Sequence, residues 1–252
     1  MKRNAQLDNY CKQLRLPTIA QEYSRIAHQC SKENQGYDVF LNDLLKMEVA
    51  TRSSKAISRR IKEAKFPAEK TIDSFKFDAL PKLNKKRILE LAACNFIERK
   101  ECVVFIGPPG VGKTHLAIAL GREACTKGHR VRYHTATGLV TEYAESREDR
   151  TVLKLERAIE RRNLIIIDEL GFVPLGKDGA ESLFGFFSKC YEQTSVIVTT
   201  NLPFSEWPQV FGDERLTGAL LDRLTHRVNV IEMKGDSYRL SSNKRKTKRS
   251  GE

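Results

Sequence analysis

The chain has 252 residues, of which 40% are hydrophobic and 30% charged, a composition that allows a folded core. Its formal net charge of +12 favours a polyanionic partner, most simply nucleic acid, although a basic surface that meets only solvent is the alternative. The sequence has no long apolar run and no signal-peptide pattern, and its six cysteines do not have the spacing of a metal site. It therefore predicts a cytoplasmic protein with no membrane span or disulfide framework.

The first 65 residues have a helical pattern throughout. Apolar residues recur at steps of three and four, and Pro17 separates the first two apolar stripes. A third helix is predicted after Gly36, and its continuation over 52–65 is strongly basic. We therefore predict a small all-helical N-terminal interaction domain at 1–65.

The composition changes at 66–86, where Phe66-Pro67 and Pro81 mark a predicted linker. From 87 to 240, short apolar runs alternate with amphipathic stretches. Predicted strands cover 102–106, 130–134, 164–168, 195–200 and 228–233, and predicted helices cover 85–99, 113–127, 137–146, 150–161, 178–192 and 214–224. This alternation is typical of an α/β fold with a parallel sheet buried on both faces. Residues 241–252 are basic and are predicted to be a disordered tail.

One motif predicts a nucleotide site. Gly107-Pro-Pro-Gly-Val-Gly-Lys113-Thr114 matches G-x-x-x-x-G-K-[ST] in full, between an apolar strand and an amphipathic helix. Its glycines let the backbone approach the phosphates, Lys113 is expected to reach the β- and γ-phosphates, and Thr114 to hold Mg²⁺. His115 follows in the first helical turn, where packing is the more common role for its ring.

An acidic pair, Asp168-Glu169, ends a predicted strand 54 residues after Thr114. Ligands of open α/β sheets bind at the carboxyl ends of the strands, so this pair is expected beside the phosphates. Asp168 is the candidate Mg²⁺ ligand, directly or through water, and Glu169 the candidate group that polarises the attacking water. An ordinary acidic strand end is the alternative.

Two further residues are candidates with open alternatives. Asn201 ends an apolar strand and can orient water or the γ-phosphate, or it can simply begin the turn before Pro203. Arg223, near the end of the last predicted helix, can stabilise the charge of a transition state, often in a neighbouring subunit, or can make an ordinary contact at the helix end.

Over most of 66–240 the chain resembles the IstB family, the ATP-binding helper proteins of insertion-sequence transposition, and the related DnaC helicase loaders among the AAA+ ATPases. The resemblance is carried by G-P-P-G-V-G-K-T-H-L-A at 107–117, Asp168-Glu-Leu-Gly171, Val-Thr-Thr-Asn201, Leu-Leu-Asp-Arg223-Leu and Asp236-Ser-Tyr-Arg239. It implies an AAA+ P-loop NTPase with a five-stranded parallel sheet, order 5-1-4-3-2, flanked by helices and without the helical lid domain of most AAA+ proteins.

The resemblance also implies roles for single residues. Asn201 would be the sensor-1 residue, Arg223 an arginine finger acting across a subunit interface, and Arg239 a sensor-2 residue. The implied helical insertion within 135–163 faces nucleic acid in relatives, which makes Arg147, Arg150 and Lys154 candidate DNA contacts; solvated charge is the alternative. The nucleotide contacts would be Gly107, Pro108, Pro109, Gly110, Val111, Gly112, Lys113, Thr114, His115 and Arg239.

The implied function is that of an ATPase that uses ATP and Mg²⁺, assembles as a homo-oligomer on duplex DNA with little sequence preference, and presents this DNA to a transposase. A DnaC-like helicase loader, which would prefer single strands and hold a helicase with its helical front, is the alternative. A third reading, a scaffold that binds ATP and hardly hydrolyses it, is disfavoured by Glu169.

Overall fold

The computed structural model describes residues 4–235, 237 and 238. The chain divides into two compact units, Met1–Arg59 and Arg60–Glu252. In the part of the chain that the structure describes, no helix is long and apolar enough to cross a membrane.

The first unit consists of α1 (Ala5–Gln13), α2 (Pro17–Lys32) and the first part of α3 (Tyr37–Ala64). Asn4 begins α1 as an N-cap, because its side-chain oxygen accepts hydrogen bonds from the first free N–H groups of the helix. The apolar stripes of the three helices meet in one small core, formed by Cys11, Ile19, Tyr23, Ile26, Cys30 and Leu44.

The N-terminus of α2 is capped by a residue distant in sequence. Leu16 provides no side-chain cap there, but the carboxylate of Glu48 accepts hydrogen bonds from the backbone N–H groups of Thr18 (2.8 Å) and Ile19 (3.2 Å). Glu48 is only 3% exposed and also accepts a 2.7 Å hydrogen bond from Arg52 Nε. A buried carboxylate on α3 therefore holds α2 in place.

The second unit is built on one parallel sheet. Its strands are β1 (Cys102–Ile106), β2 (Val131–Thr135), β3 (Leu164–Leu170), β4 (Ser195–Thr200) and β5 (Val228–Glu232). They pair in the order β2-β3-β4-β1-β5, which read from the other edge is 5-1-4-3-2, so the predicted order is confirmed.

Helices cover both faces of this sheet. They are α4 (Lys85–Ala92), α5 (Asn95–Glu98), α6 (Lys113–Thr126), α7 (Ala136–Glu148), α8 (Val152–Glu160), α9 (Gly176–Cys190), α10 (Pro208–Phe211) and α11 (Glu214–Thr225). Successive side chains of a strand point to opposite faces, so Ile166 of β3 packs with α4, α5 and α6, whereas Ile165 and Ile167 pack with α7, α9 and α11. Both faces are apolar, which explains the continuous apolar runs of the strands.

Two expectations differ from the structure. The single helix predicted at 85–99 is two helices, because Cys94 between α4 and α5 has a left-handed backbone (φ 66°) that ends the first. The segment 66–86, predicted as a linker, packs on the sheet unit: Ile72, Leu80 and Leu83 are buried in its core, and Phe66, Phe75 and Phe77 pack against them. Its aromatic residues anchor the segment.

Candidate nucleotide-binding site

The phosphate-binding motif forms the connection between β1 and α6. Gly110 (φ 84°) and Gly112 (φ 99°) have left-handed backbones, and a Cβ atom on Gly112 would lie 2.7 Å from Cε2 of Phe75. Only glycine fits this conformation and this space. The N-cap of α6 is Gly112, which has no side chain to cap the helix, and a helix N-terminus of this kind favours an anion.

Lys113, the first residue of α6, folds back over the loop. Its ammonium group donates hydrogen bonds to the carbonyl oxygens of Gly107 (2.6 Å) and Pro108 (2.9 Å). The cation therefore lies over the loop whose backbone would cradle phosphates.

Asp168, near the end of β3, is held by three hydroxyl groups. It is 2% exposed, and its Oδ1 accepts hydrogen bonds from Thr114 Oγ1 (2.9 Å) and Thr199 Oγ1, while its Oδ2 accepts one from the Tyr133 hydroxyl (2.7 Å). Burial, together with the hydrogen bond to Asp168, raises the pKa of Tyr133 well above its usual range, so the phenol remains a donor. Asp168 and Thr114 are thus adjacent oxygen ligands of the kind Mg²⁺ prefers.

Glu169, the residue after Asp168, lies where the strand is irregular. The register of β3 against β4 shifts between Ile167 and Leu170, and Glu169 has a left-handed backbone (φ 61°). Its N–H donates a 3.1 Å hydrogen bond to Thr199 Oγ1, which fixes the bulge. The bulge buries one carboxylate and exposes the next at the same end of the sheet.

Asn201 follows the last residue of the neighbouring strand β4. The carbonyl oxygen of Thr200 accepts a 3.3 Å hydrogen bond from Gly107 N–H, so the end of β4 is tied to the start of the phosphate loop. Asn201 is half-buried at this junction. The structure therefore brings Lys113, Thr114, Asp168, Glu169 and Asn201 to one end of the sheet.

Arg223 lies elsewhere. Its guanidinium group stacks over the ring of Phe184 (4.9 Å to the centroid) and donates a hydrogen bond to the carbonyl oxygen of Ala219. It lines a small cleft with Cys102 and Val196, which lie at the amino ends of β1 and β4. A five-residue strand is about 16 Å long, so this cleft is at the far end of the sheet from the phosphate loop.

A cavity of about 510 Å³ adjoins the loop and has a wall that the sequence did not indicate. This volume is in the range of small-molecule sites. One side consists of 110–115 and the other of residues between 67 and 80, together with Tyr238. His115 joins the two sides: its Nε2 lies 2.9 Å from the carbonyl oxygen of Thr71, and its ring packs edge-on against Phe75. Burial lowers the pKa of His115, which favours the neutral ring.

Three of the remaining candidates are not at this site. Arg147, Arg150 and Lys154 are exposed on α7, on the α7–α8 connection and on α8. Arg239 lies outside the described residues. The sequence motifs assign no role to Tyr133 or Thr199. Thr199 lies two residues before Asn201, within the strand end Val-Thr-Thr-Asn201, whereas Tyr133 belongs to no motif.

The comparisons with known proteins agree with this geometry. The family described as IstB-like ATP binding protein matches residues 9–247. The ATP-binding protein of insertion sequence IS5376 from Geobacillus stearothermophilus is 39% identical over 234 residues, with 93% of each chain covered. The ATP-binding protein of insertion sequence IS21 from Pseudomonas aeruginosa is 33% identical over 240 residues, 95% of this chain and 91% of the relative.

Solved structures resemble the chain in fold. The replication initiator DnaA bound to AMPPCP and single-stranded DNA matches with a TM-score of 0.57 and 22% identity over 73% of this chain. The match spans 56% of that initiator, little more than half of its length. DnaI matches with a TM-score of 0.52 and 15% identity over 67% of this chain and 90% of DnaI.

Proposed function

The chain belongs to the family of IstB-like ATP-binding proteins, and we propose on that basis that this ATPase assembles on duplex DNA when it binds ATP and Mg²⁺, and presents that DNA to a transposase. The observation that supports this most is the convergence of Thr114, Asp168 and Glu169 beside the phosphate loop, with Thr114 Oγ1 2.9 Å from Asp168 Oδ1. These residues are of the kinds needed to hydrolyse ATP as well as to bind it.

Each residue has one task in this proposal. The N–H groups of the loop and Lys113 bind the phosphates, and Thr114 and Asp168 hold Mg²⁺, which when bound neutralises charge on the phosphate oxygens. Glu169 accepts a proton from the attacking water, because it is an exposed carboxylate that directly follows Asp168 at this end of the sheet. Asn201 orients that water or the γ-phosphate. The cavity walled by 67–80 receives the rest of the nucleotide.

The position of Arg223 supports a homo-oligomer. It is too far from the phosphates of its own chain, at the amino ends of the strands, but it lies at the rim of a cleft where a second copy can meet it. We propose that Arg223 of one subunit completes the site of the next. Such a head-to-tail contact generates a ring or a helical filament.

The net charge of the chain and its similarity to insertion-sequence proteins support the proposed binding of DNA and of a transposase. A net charge of +12 supplies sequence-independent affinity for the phosphate backbone. The two relatives are named as proteins of insertion sequences, elements whose movement requires a transposase. Arg147, Arg150 and Lys154 are exposed and available to DNA. All six cysteines are free thiols, which fits a cytoplasmic protein.

The test compares two DNA substrates. The rate of ATP hydrolysis and the size of the ATP-bound protein are measured without DNA, with duplex DNA and with single strands of the same length. The proposal predicts faster hydrolysis and large assemblies on duplex DNA, and then binding of a transposase to those assemblies. Stimulation by single strands alone, with small assemblies, would instead favour the helicase loader.

A further inference from the structure

The edge strand of the sheet carries a group of arginines that the ATP site does not use. Arg130 immediately precedes β2, and Arg132, two residues later, has its side chain on the same face of the sheet. Arg162 lies beside them, because the N–H of the next residue, Asn163, donates a 2.9 Å hydrogen bond to the carbonyl oxygen of Arg130. Three guanidinium groups are therefore concentrated at one edge.

Two of these arginines, Arg132 and Arg162, line a cleft of about 120 Å³ between β2 and α8, and Arg130 lies near Arg162. Arg132 and Arg162 are both half-buried in its wall, and its floor is apolar, with Ile165 of β3 and Leu155 and Ile159 of α8. Long basic side chains that lie on such a floor lose little further freedom when they bind a ligand. The cleft opens between the sheet edge and the helical pair α7–α8.

The charged groups in and around the cleft carry an excess of positive charge. Arg132, Arg162 and Glu142 line it. Lys65, Arg130 and Glu63 lie close to those three, which gives four cations against two carboxylates. Glu142 is already paired with His134 (3.3 Å), and the pKa of Glu142 is lowered by that contact first and by Arg132 and Lys65 as well. Burial first, and then repulsion from Arg132, lower the pKa of Arg162. An anion in the cleft would relieve this repulsion.

Protection of the sheet edge is the competing explanation. Charged residues on an edge strand prevent pairing with other chains. Exposed Arg130 would suffice for that purpose, whereas half-buried Arg132 and Arg162, grouped around one cleft, cost desolvation that edge protection does not require. The grouping is the feature that a ligand explains.

We propose that this β2-edge cleft binds a phosphate group of the DNA backbone, as a contact separate from Arg147, Arg150 and Lys154. The proposal rests on the proposed function, since duplex DNA is the polyanion that it supplies. Arginine suits the task because its planar fork donates two parallel hydrogen bonds to a phosphate. Arg147, Arg150 and Lys154 belong to the α7–α8 segment, which also forms one wall of the cleft, so one DNA segment can touch both contacts.

The experiment measures the affinity of the full chain for duplex DNA over a range of salt concentrations, with ATP present. Each lost phosphate contact reduces the slope of log K against log salt by about 1. We expect a reduction of that size for Arg162→Gln, one at least as large for the Arg132→Gln/Arg162→Gln pair, and a wild-type slope for Arg162→Lys. Lys82→Gln, at an exposed position of the same unit, is the matched control.

The outcomes separate this inference from the proposed function. If the wild-type chain binds duplex DNA and Arg162→Gln or the paired variant keeps its slope, the cleft is not a DNA contact and only this inference fails. An equal loss in Lys82→Gln would also overturn it, because overall charge alone would then explain the effect. If the wild-type chain does not bind duplex DNA, the proposed function fails first. A rise in melting temperature on adding ATP verifies that each variant is folded.

Discussion

The hydroxyl of Tyr133 donates a 2.7 Å hydrogen bond to Oδ2 of Asp168, so the edge strand β2 positions the carboxylate at the end of β3. The other oxygen of Asp168 accepts hydrogen bonds from Thr114 and Thr199. The carboxylate is therefore oriented before any ligand arrives, which is how a site gains affinity for a metal without large rearrangement.

Replacing Tyr133 by Phe removes this one hydrogen bond and little else. A typical hydrogen bond contributes about 1 kcal/mol, so we expect the Mg²⁺ concentration for half-maximal ATP hydrolysis to rise about five-fold. Binding of ATP without Mg²⁺ should not change. Tyr143→Phe is the matched control, because the buried Tyr143 hydroxyl has no hydrogen-bond partner among the described residues. An unchanged Mg²⁺ requirement in Tyr133→Phe would remove Tyr133 from the site.

Lys113→Ala tests the phosphate loop. Hydrogen bonds to charged groups contribute up to about 3 kcal/mol, so the variant should bind ATP about 100-fold more weakly. Calorimetric titration of ATP measures this, and Lys127→Ala, at the exposed end of the same helix, should bind normally. Equal affinities in the two variants would mean that Lys113 does not touch the nucleotide.

Glu169→Gln tests the exposed carboxylate. The variant keeps the shape of the side chain but cannot accept the proton of water, so hydrolysis should slow by about 100-fold or more while ATP binding remains. Turnover and nucleotide affinity are measured together, with Glu181→Gln on α9 as the control. Because ATP then persists, the assembly on duplex DNA should be long-lived. Normal turnover in Glu169→Gln would assign the water to another residue.

The helical unit offers a test that is independent of the nucleotide. Although burial alone would raise the pKa of Glu48, its hydrogen bonds from Arg52, Ile19 and Thr18 outweigh this and lower it. A lowered pKa adds stability above the ordinary glutamate value, about 4.3, and that stability is lost as the pH falls through the folded value. The protection factors of the α2 amides in the full chain, which are corrected for the pH dependence of intrinsic exchange, should therefore fall as the pH drops below the ordinary glutamate value.

Glu48→Ala should accelerate the same exchange at neutral pH. Loss of a helix cap costs about 1 to 2 kcal/mol, which corresponds to roughly ten-fold faster opening. Glu33→Ala, at the exposed C-terminal end of α2, is the control for a lost carboxylate. Exchange in Glu48→Ala that is no faster than in Glu33→Ala would show that Thr18 and Ile19 find another acceptor.

The sequence predicts what is encoded locally. The phosphate loop depends on glycines and Lys113 in one short segment, and the strands depend on continuous apolar runs, so both could be found from residue patterns. The strand order could not, and came from the resemblance alone. The contact between Tyr133 and Asp168 spans 35 residues and exists only because β2 lies next to β3.

The wall of the nucleotide cavity was missed for a different reason. Pro67, Phe75 and their neighbours have no helical or strand period, and such a stretch ordinarily indicates a connection. The segment forms part of the cavity only because it covers the loop around Gly112. The bulge at Glu169 could not be predicted from the sequence either, because a shift in register against β4 leaves no pattern in the residues of β3.

The most direct test of an ATP site shared between subunits mixes two inactive variants, Arg223→Ala and Glu169→Gln, on duplex DNA with ATP. Each should be nearly inactive alone. If Arg223 acts across a subunit interface, an equal mixture should recover about a quarter of the wild-type rate, because random head-to-tail neighbours bring an intact Glu169 to an intact Arg223 at that frequency. Wild-type hydrolysis by Arg223→Ala alone, or mixed assemblies no more active than either variant, would contradict a site shared between subunits.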